Sequence, residues 1–152
     1  SGHLRAVARA APLCVAYGLD LALLDFPTND LKEIANRVAA DTNVGKGGAY
    51  LTELLKEGRV LLISEPTQAG VPVATTSKPA EKKKISLEDA AEKACGKQLC
   101  VVMGLGRKGL PRKLLDSAIH HVEITGSGIA LETSTAMGII AQQMGSLPEP
   151  KI

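Results

Sequence analysis

The residue types able to do chemistry concentrate in residues 101–144, VVMGLGRKGLPRKLLDSAIHHVEITGSGIALETSTAMGIIAQQM. Gly104, Gly106 and Gly109 follow a hydrophobic run and precede a helical pattern. Backbone without a Cβ can approach a ligand closely there. The spacing satisfies GxGxxG, the turn that cradles phosphates in dinucleotide folds. In those folds the turn opens the first strand–helix unit, and an acidic residue ends a strand about twenty residues on. Here the turn comes late and has no such partner, which argues against a dinucleotide site. Further along, residues 124–131 are rich in Gly and Ser, and residues 133–138 are small. Thr75, Thr76 and Ser77 supply hydroxyls at the end of an earlier strand. His120 and His121 stand at the start of another, where one packed and one exposed ring is expected, and a general base among them is one reading. Two basic clusters, residues 82–84 and 107–113, read either as solvated faces or, for Arg107, Lys108, Arg112 and Lys113 beside the glycine turn, as a surface for nucleic-acid phosphates.

The elements that position these groups alternate between short β-branched or Leu-rich runs and helical patterns, which points to an α/β fold with a mostly parallel sheet and helices on both faces. Residues 4–17 form an Ala-rich helix ending at Gly18. Residues 21–26 form a buried strand stopped by Pro27. Asn29 or Asp30 caps a helix whose inward face is Leu31, Ile34, Ala35 and Val38. Residues 43–48 are a glycine-rich turn, followed by a helix over 49–56 closed by Gly58. Strands are expected at 60–63, at 71–76 with a late start because of Pro72, at 99–103 as the central strand, and at 121–125. Residues 78–84 make a charged loop. Ser86, with Asp89 three residues on, approximates a capping box for a helix that Gly96 ends. Pro111 suits the first turn of a helix that carries Leu114, Leu115 and Ala118 inward. A final helix covers 133–144, and the tail 147–152 is expected to be loose. No internal repeat and no domain boundary stands out, so residues 1–152 read as a single domain.

Composition narrows the function. The chain has 152 residues, 45% apolar and 22% charged, enough for a core that needs no disulfide or metal. Aromatic residues are only 2%, with no Trp. The interior must therefore be built from Leu, Ile, Val and Ala, and the composition argues against a stacking platform for single-stranded nucleic acid. Eighteen basic against 16 acidic residues give a net charge of +2, too small to attract a polyanion except through local clusters. Cys14, Cys95 and Cys100 lie in apolar stretches without CxxC spacing, so they read as reduced core thiols rather than metal ligands. No apolar run has the length of a membrane span, and no signal peptide is visible, which implies a cytoplasmic protein. The first residue is Ser1 rather than Met, so the natural start is expected upstream.

Three segments in order resemble the motifs of the SPOUT class of RNA methyltransferases. Residues 3–9, HLRAVAR, are similar to its first motif, usually NxGAIxR; residues 104–110 are similar to the second; residues 130–139, ALETSTAMGI, are similar to the third, close to SLNxSxAxxI. The likeness covers residues 3 to 144 and is nearest to an uncharacterised archaeal branch carrying HLRAVARAAP, ATTSKP, GLGRKGLP and LETSTA. Three polar positions depart from the pattern: His3 stands for Asn, Gly106 for Glu and Glu132 for Asn. A strand that precedes the first motif in the class is missing from these 152 residues.

The resemblance implies a C-terminal trefoil knot, a homodimer and S-adenosylmethionine bound in bent form among three knot loops, with tRNA or rRNA as substrate and the ribose 2′-oxygen as one acceptor. It implies that Thr75, Thr76, Ser77, Gly104, Leu105, Gly106, Gly109, Ile124, Gly126, Leu131, Thr135 and Ala136 surround the cofactor. Arg9 then faces the cofactor of the partner subunit, where it holds a phosphate or orients the nucleophile, because a guanidinium cannot serve as a base. Arg5, one turn earlier, extends an RNA-binding stripe with it. Glu132 accepts a proton, or attracts the sulfonium, or is a structural carboxylate paired with an arginine. The departures leave room for a knotted RNA-binding or assembly protein without transfer activity, and more remotely for an unrelated small-molecule α/β enzyme.

Overall fold

A computed structural model describes residues 2–40, 47–106 and 108–148. The chain falls into two compact units, one ending at Glu65 and the other beginning at Pro66. Both contain parallel strands accompanied by helices.

In the first unit α1 (Gly2–Tyr17) is followed by β1 (Leu21–Leu24), α2 (Leu31–Ala40), α3 (Gly47–Lys56) and β2 (Val60–Ile63). β1 and β2 pair in parallel, Leu21 with Val60 through Leu24 with Ile63. The apolar spacing in the helices has one purpose: Val7, Ala8, Ala11, Cys14, Ile34, Val38, Leu51 and Leu54 bury against Leu23 and Val60. Asp30, not Asn29, starts α2, its Oδ1 accepting the N–H groups of Lys32 and Glu33 at 2.9 and 3.4 Å. β1 is two residues shorter than its sequence suggests, because Asp25 turns into the left-handed region at φ 54°. α1 ends at Gly18, and Leu19 N–H donates to the Cys14 carbonyl at 2.9 Å, the six-to-one bond of a Schellman cap. Arg59 completes that end. Its Nη2 donates to the carbonyls of Cys14 and Leu19, both at 2.8 Å, while Glu57 and Asp20 pair with it. A cation there is favoured by the helix dipole.

In the second unit a 3-10 turn (Pro66–Gln68) leads into β3 (Val71–Thr75), α4 (Leu87–Lys93), β4 (Leu99–Val102), α5 (Arg112–Ser117), β5 (His120–Val122) and α6 (Thr133–Gly145). The parallel order is β4-β3-β5. The strand expected to be central, β4, therefore lies at an end, and β3 takes the middle, with Val73 and Ala74 fully buried. β3 also starts at Val71 rather than late. Val71 N–H points at β4, bonding Gln98 O at 2.8 Å, so by strand alternation Pro72 turns its missing donor to the side that β5 reaches only at Val73. Ser86 caps α4 by accepting from Asp89 N–H at 3.1 Å. Cys14 is buried and Cys100 half-buried, but Cys95 is exposed at the end of α4 and is not a core thiol. Burial pushes the Cys14 thiol up to about 11, keeping it neutral. Among the described residues no helix is long and apolar enough to cross a membrane. The turn expected at 43–48 lies outside the described residues up to 46, and so does the tail from 149.

Candidate functional site

Because β3, β4 and β5 run parallel, their carboxyl ends open at one edge of the sheet, where ligands of open α/β sheets bind. The chain passes from β3 to β4 on one side and then returns past β3 to β5 on the other. The loops that leave the three strands are joined by specific contacts. Thr76 N–H donates to Val122 O at 3.1 Å, and the buried Thr75 hydroxyl donates to Val102 O at 3.0 Å. A Cβ on Gly128 would come 3.7 Å from Ser77 O. Gly106 N–H donates to the Thr133 hydroxyl at 3.4 Å, tying the glycine turn to the start of α6. Thr75, Thr76, Ser77, Gly104, Gly106, Gly109, Gly128 and Thr133 are thus linked by contacts between the loops.

Among these loops the closest approach is at Gly104. A Cβ there would sit 2.5 Å from Gly109 C and 2.7 Å from Leu110 N, so the turn can close on itself only because residue 104 has none. Leu105 and Gly106 are exposed beyond it, Ile124 and Leu131 are half-buried, and Ala136 is buried under the first turn of α6.

Two carboxylates shape the loop between β5 and α6. Glu132 is the N-cap of α6. Its Oε1 accepts from Ser134 N–H and hydroxyl at 3.1 and 2.7 Å, and Oε2 from Thr135 N–H and hydroxyl at 3.4 and 3.2 Å. The Ser134 hydroxyl and amide, then Thr135, hold this carboxyl down to about 2, so it is ionised at neutral pH and a poor proton acceptor. Glu123 follows β5 directly. Its Oε1 accepts from Thr125 N–H at 3.2 Å and from the Thr125 hydroxyl at 2.7 Å, and that hydroxyl oxygen accepts in turn from Ser127 and Ile129 N–H at 3.1 and 3.3 Å. Burial pushes the Glu123 carboxyl up, but the Thr125 bonds and the looser approach of the Gly126 and Gly128 amides outweigh it, so the group sits below its ordinary range. Its second oxygen, Oε2, is buried with no hydrogen-bond partner among the described residues.

The remaining sequence candidates spread more widely. Arg5 and Arg9 are exposed on α1 in the first unit, four residues apart and on one helical face. Lys108, Arg112 and Lys113 are exposed around the turn and the first residues of α5; Arg107 lies outside the described residues. His121 is the packed histidine, 5% exposed, its Nδ1 accepting from Ala80 N–H at 3.1 Å and its Nε2 2.7 Å from Leu115 O. That placement commits it to holding the 80–84 loop and α5 together and removes it as a base. His120 is half-buried, and burial lowers its pKa, with Lys93 adding to the effect. Among the described residues no group of three or more metal-ligating side chains occurs.

Residues 1–145 match the family described as "Protein of unknown function (DUF531)". The chain belongs to that family. It is 41% identical over 139 residues to an uncharacterized protein of Methanocaldococcus jannaschii, covering 91% of this chain and 80% of that one. By structure, it is similar to a probable methylase family protein from Haemophilus influenzae Rd KW20, with a TM-score of 0.60, 17% identity and 95% of this chain covered. It spans 60% of that protein's length. TrmJ from Z. mobilis ZM4 gives a TM-score of 0.62 at 16% identity, covering 98% of this chain and 68% of TrmJ. At such identities the shared property is the fold: parallel sheets flanked by helices, as in these methylase-family structures.

Glu123, Thr125, Thr133 and Ser134 are the site residues that sequence reasoning missed in this DUF531 protein. A signal existed for the first two, since an acid placed immediately before a Thr-Gly-Ser-Gly run offers acceptors to a turn full of free amides.

Proposed function

We propose that this DUF531 protein is an S-adenosylmethionine-dependent RNA methyltransferase of the SPOUT class, knotted in its C-terminal part and dimeric. The observation that carries the reading is the convergence of the loops after β3, β4 and β5 at the carboxyl edge of the sheet, closed by the Gly106–Thr133 bond and the Gly128–Ser77 approach. The residues present suit the donor molecule. Open space surrounds Gly106 and Gly126, where an added Cβ would meet nothing within 4 Å, and the buried Glu123 Oε2 asks for a donor. Bound there, S-adenosylmethionine supplies an activated methyl group on sulfur.

The protein's share is alignment and charge. Backbone at Leu105, Ile124, Gly126 and Leu131 grips the nucleoside, while Thr135 and Ala136 leave room beside it. Glu132, ionised at neutral pH, attracts the sulfonium instead of taking the acceptor's proton. Arg9, with Arg5, holds RNA phosphate and orients the acceptor, and Lys108, Arg112, Lys113 and Arg107 extend the phosphate surface. The ribose 2′-oxygen of tRNA or rRNA is the acceptor this reading favours. Transfer requires acceptor, methyl and sulfur nearly in line at about 3–3.5 Å.

One observation favours a second reading. The carboxylate at the third motif is occupied in capping α6, which suits an RNA-binding protein that keeps the fold without transferring a methyl group. Titration calorimetry with S-adenosylmethionine separates the two: saturable binding supports the enzyme, and no heat at millimolar cofactor removes it. Transfer of labelled methyl to total cellular RNA then identifies the product.

A further inference from the structure

A carboxylate oxygen shut away from water without a hydrogen bond is costly, and native structures contain few of them. Glu123 presents one at the functional edge of the sheet. Its two oxygens have divided roles: Oε1 is engaged by Thr125, which moulds the loop through Ser127 and Ile129, whereas Oε2 is buried and has no partner among the described residues. Glu123 is also the first residue beyond β5, one position past the Thr75–Val122 pair at the strand ends. Thr125 and the approaching Gly126 and Gly128 amides mould the loop around this carboxyl, and none of them gives Oε2 a hydrogen bond.

We propose that Glu123 is a ligand-recognising residue whose Oε2 accepts a hydrogen bond from an N–H or O–H donor of the bound nucleoside, either the exocyclic amine of the base or a ribose hydroxyl. This rests on the S-adenosylmethionine reading and adds to it a side chain that reads the nucleoside beyond the backbone grip. The lowered pKa of Glu123 is consistent, since an ionised oxygen is the stronger acceptor.

The test measures calorimetric affinity of the full chain for S-adenosylhomocysteine, for S-inosylhomocysteine, in which an oxo group replaces the amine, and for the 2′-deoxy and 3′-deoxy forms. The unmodified chain is expected to bind one of these analogues about tenfold or more weakly than S-adenosylhomocysteine. Loss with the inosine compound assigns the amine; loss with a deoxy compound assigns that hydroxyl. Glu123→Gln keeps an acceptor for Thr125 and turns the Oε2 position into a donor. It should weaken S-adenosylhomocysteine by a similar factor with an unchanged unfolding temperature, and in the amine case it should reverse the preference towards the inosine compound. Equal affinity of the unmodified chain for all four compounds, or S-adenosylhomocysteine binding that Glu123→Gln leaves intact, overturns the role of Glu123 while the cofactor reading stands. No binding of any compound by the unmodified chain overturns both.

Discussion

At the scale of single residues, hydrogen bonding decides what each carboxylate can do. Glu132 is exposed, yet the Ser134 and Thr135 hydroxyls and amides hold it ionised down to about 2. Because its folded pKa lies below the ordinary carboxylate range, its stabilising contribution to the start of α6 is complete above that range and is lost as pH falls toward about 2. Glu132→Gln should therefore lower the unfolding temperature at neutral pH, and the gap to the unmodified protein should close as thermal scans approach pH 2. A gap independent of pH would show that the charge contributes nothing. The same bonds explain why Glu132, found readily from its neighbours in sequence, is a cap and a charge more than a base. Glu123, with no motif to announce it, acquires its importance only when its second oxygen is buried.

At the scale of elements, the glycine turn after β4 divides its work between two positions. The spacing Gly104, Gly106 and Gly109 makes all three look alike, but their surroundings differ. A Cβ at Gly106 meets nothing within 4 Å, and only its backbone at φ 101° resists substitution, which costs about 1–3 kcal/mol. At Gly104 a Cβ runs into the Gly109–Leu110 backbone at 2.5 Å. Gly104→Ala is expected to open the turn and abolish S-adenosylhomocysteine binding, whereas Gly106→Ala keeps measurable binding with the modest stability loss above. Urea unfolding and calorimetry on the two variants check this; equal behaviour would contradict the close approach. Element ends follow the same logic of neighbours. β5 stops at Val122, short of the expected 125, and the Thr125 N–H bonds the Glu123 carboxylate instead of a ladder carbonyl.

At the scale of the whole molecule, a net charge of +2 means that the RNA binding proposed above has to come from local clusters. Replacing Lys108, Arg112 and Lys113 together by Ala should flatten the slope of log affinity against log salt by roughly one unit for each phosphate no longer neutralised, uniformly across RNA sequences. Fluorescence anisotropy over a salt series reads this, and an unchanged slope removes these residues from the interface. Arg9→Ala should weaken RNA binding while sparing S-adenosylmethionine affinity; equal loss of both would contradict its assignment to phosphate. Stability rests on aliphatic packing: Leu54, fully buried, should cost about 2–5 kcal/mol when cut to Ala, measured by chemical denaturation. The amino-acid sequence by itself determined the kinds and order of elements, the helix stop at Gly18, the aliphatic core and the basic clusters, whereas α4 stops before Gly96, with Ala94 as its cap and Cys95 in the left-handed region. These follow from interactions between residues a few positions apart, where periodicity and turn chemistry act. Only the tertiary structure decided that β3 and not β4 holds the middle of its sheet, that His121 is packed while Cys95 is exposed, and that one oxygen of Glu123 is shut away dry. Each of those outcomes is set by residues distant along the chain, Val71 against Leu99 or Val73 against His120, and such pairings leave no mark in any local stretch.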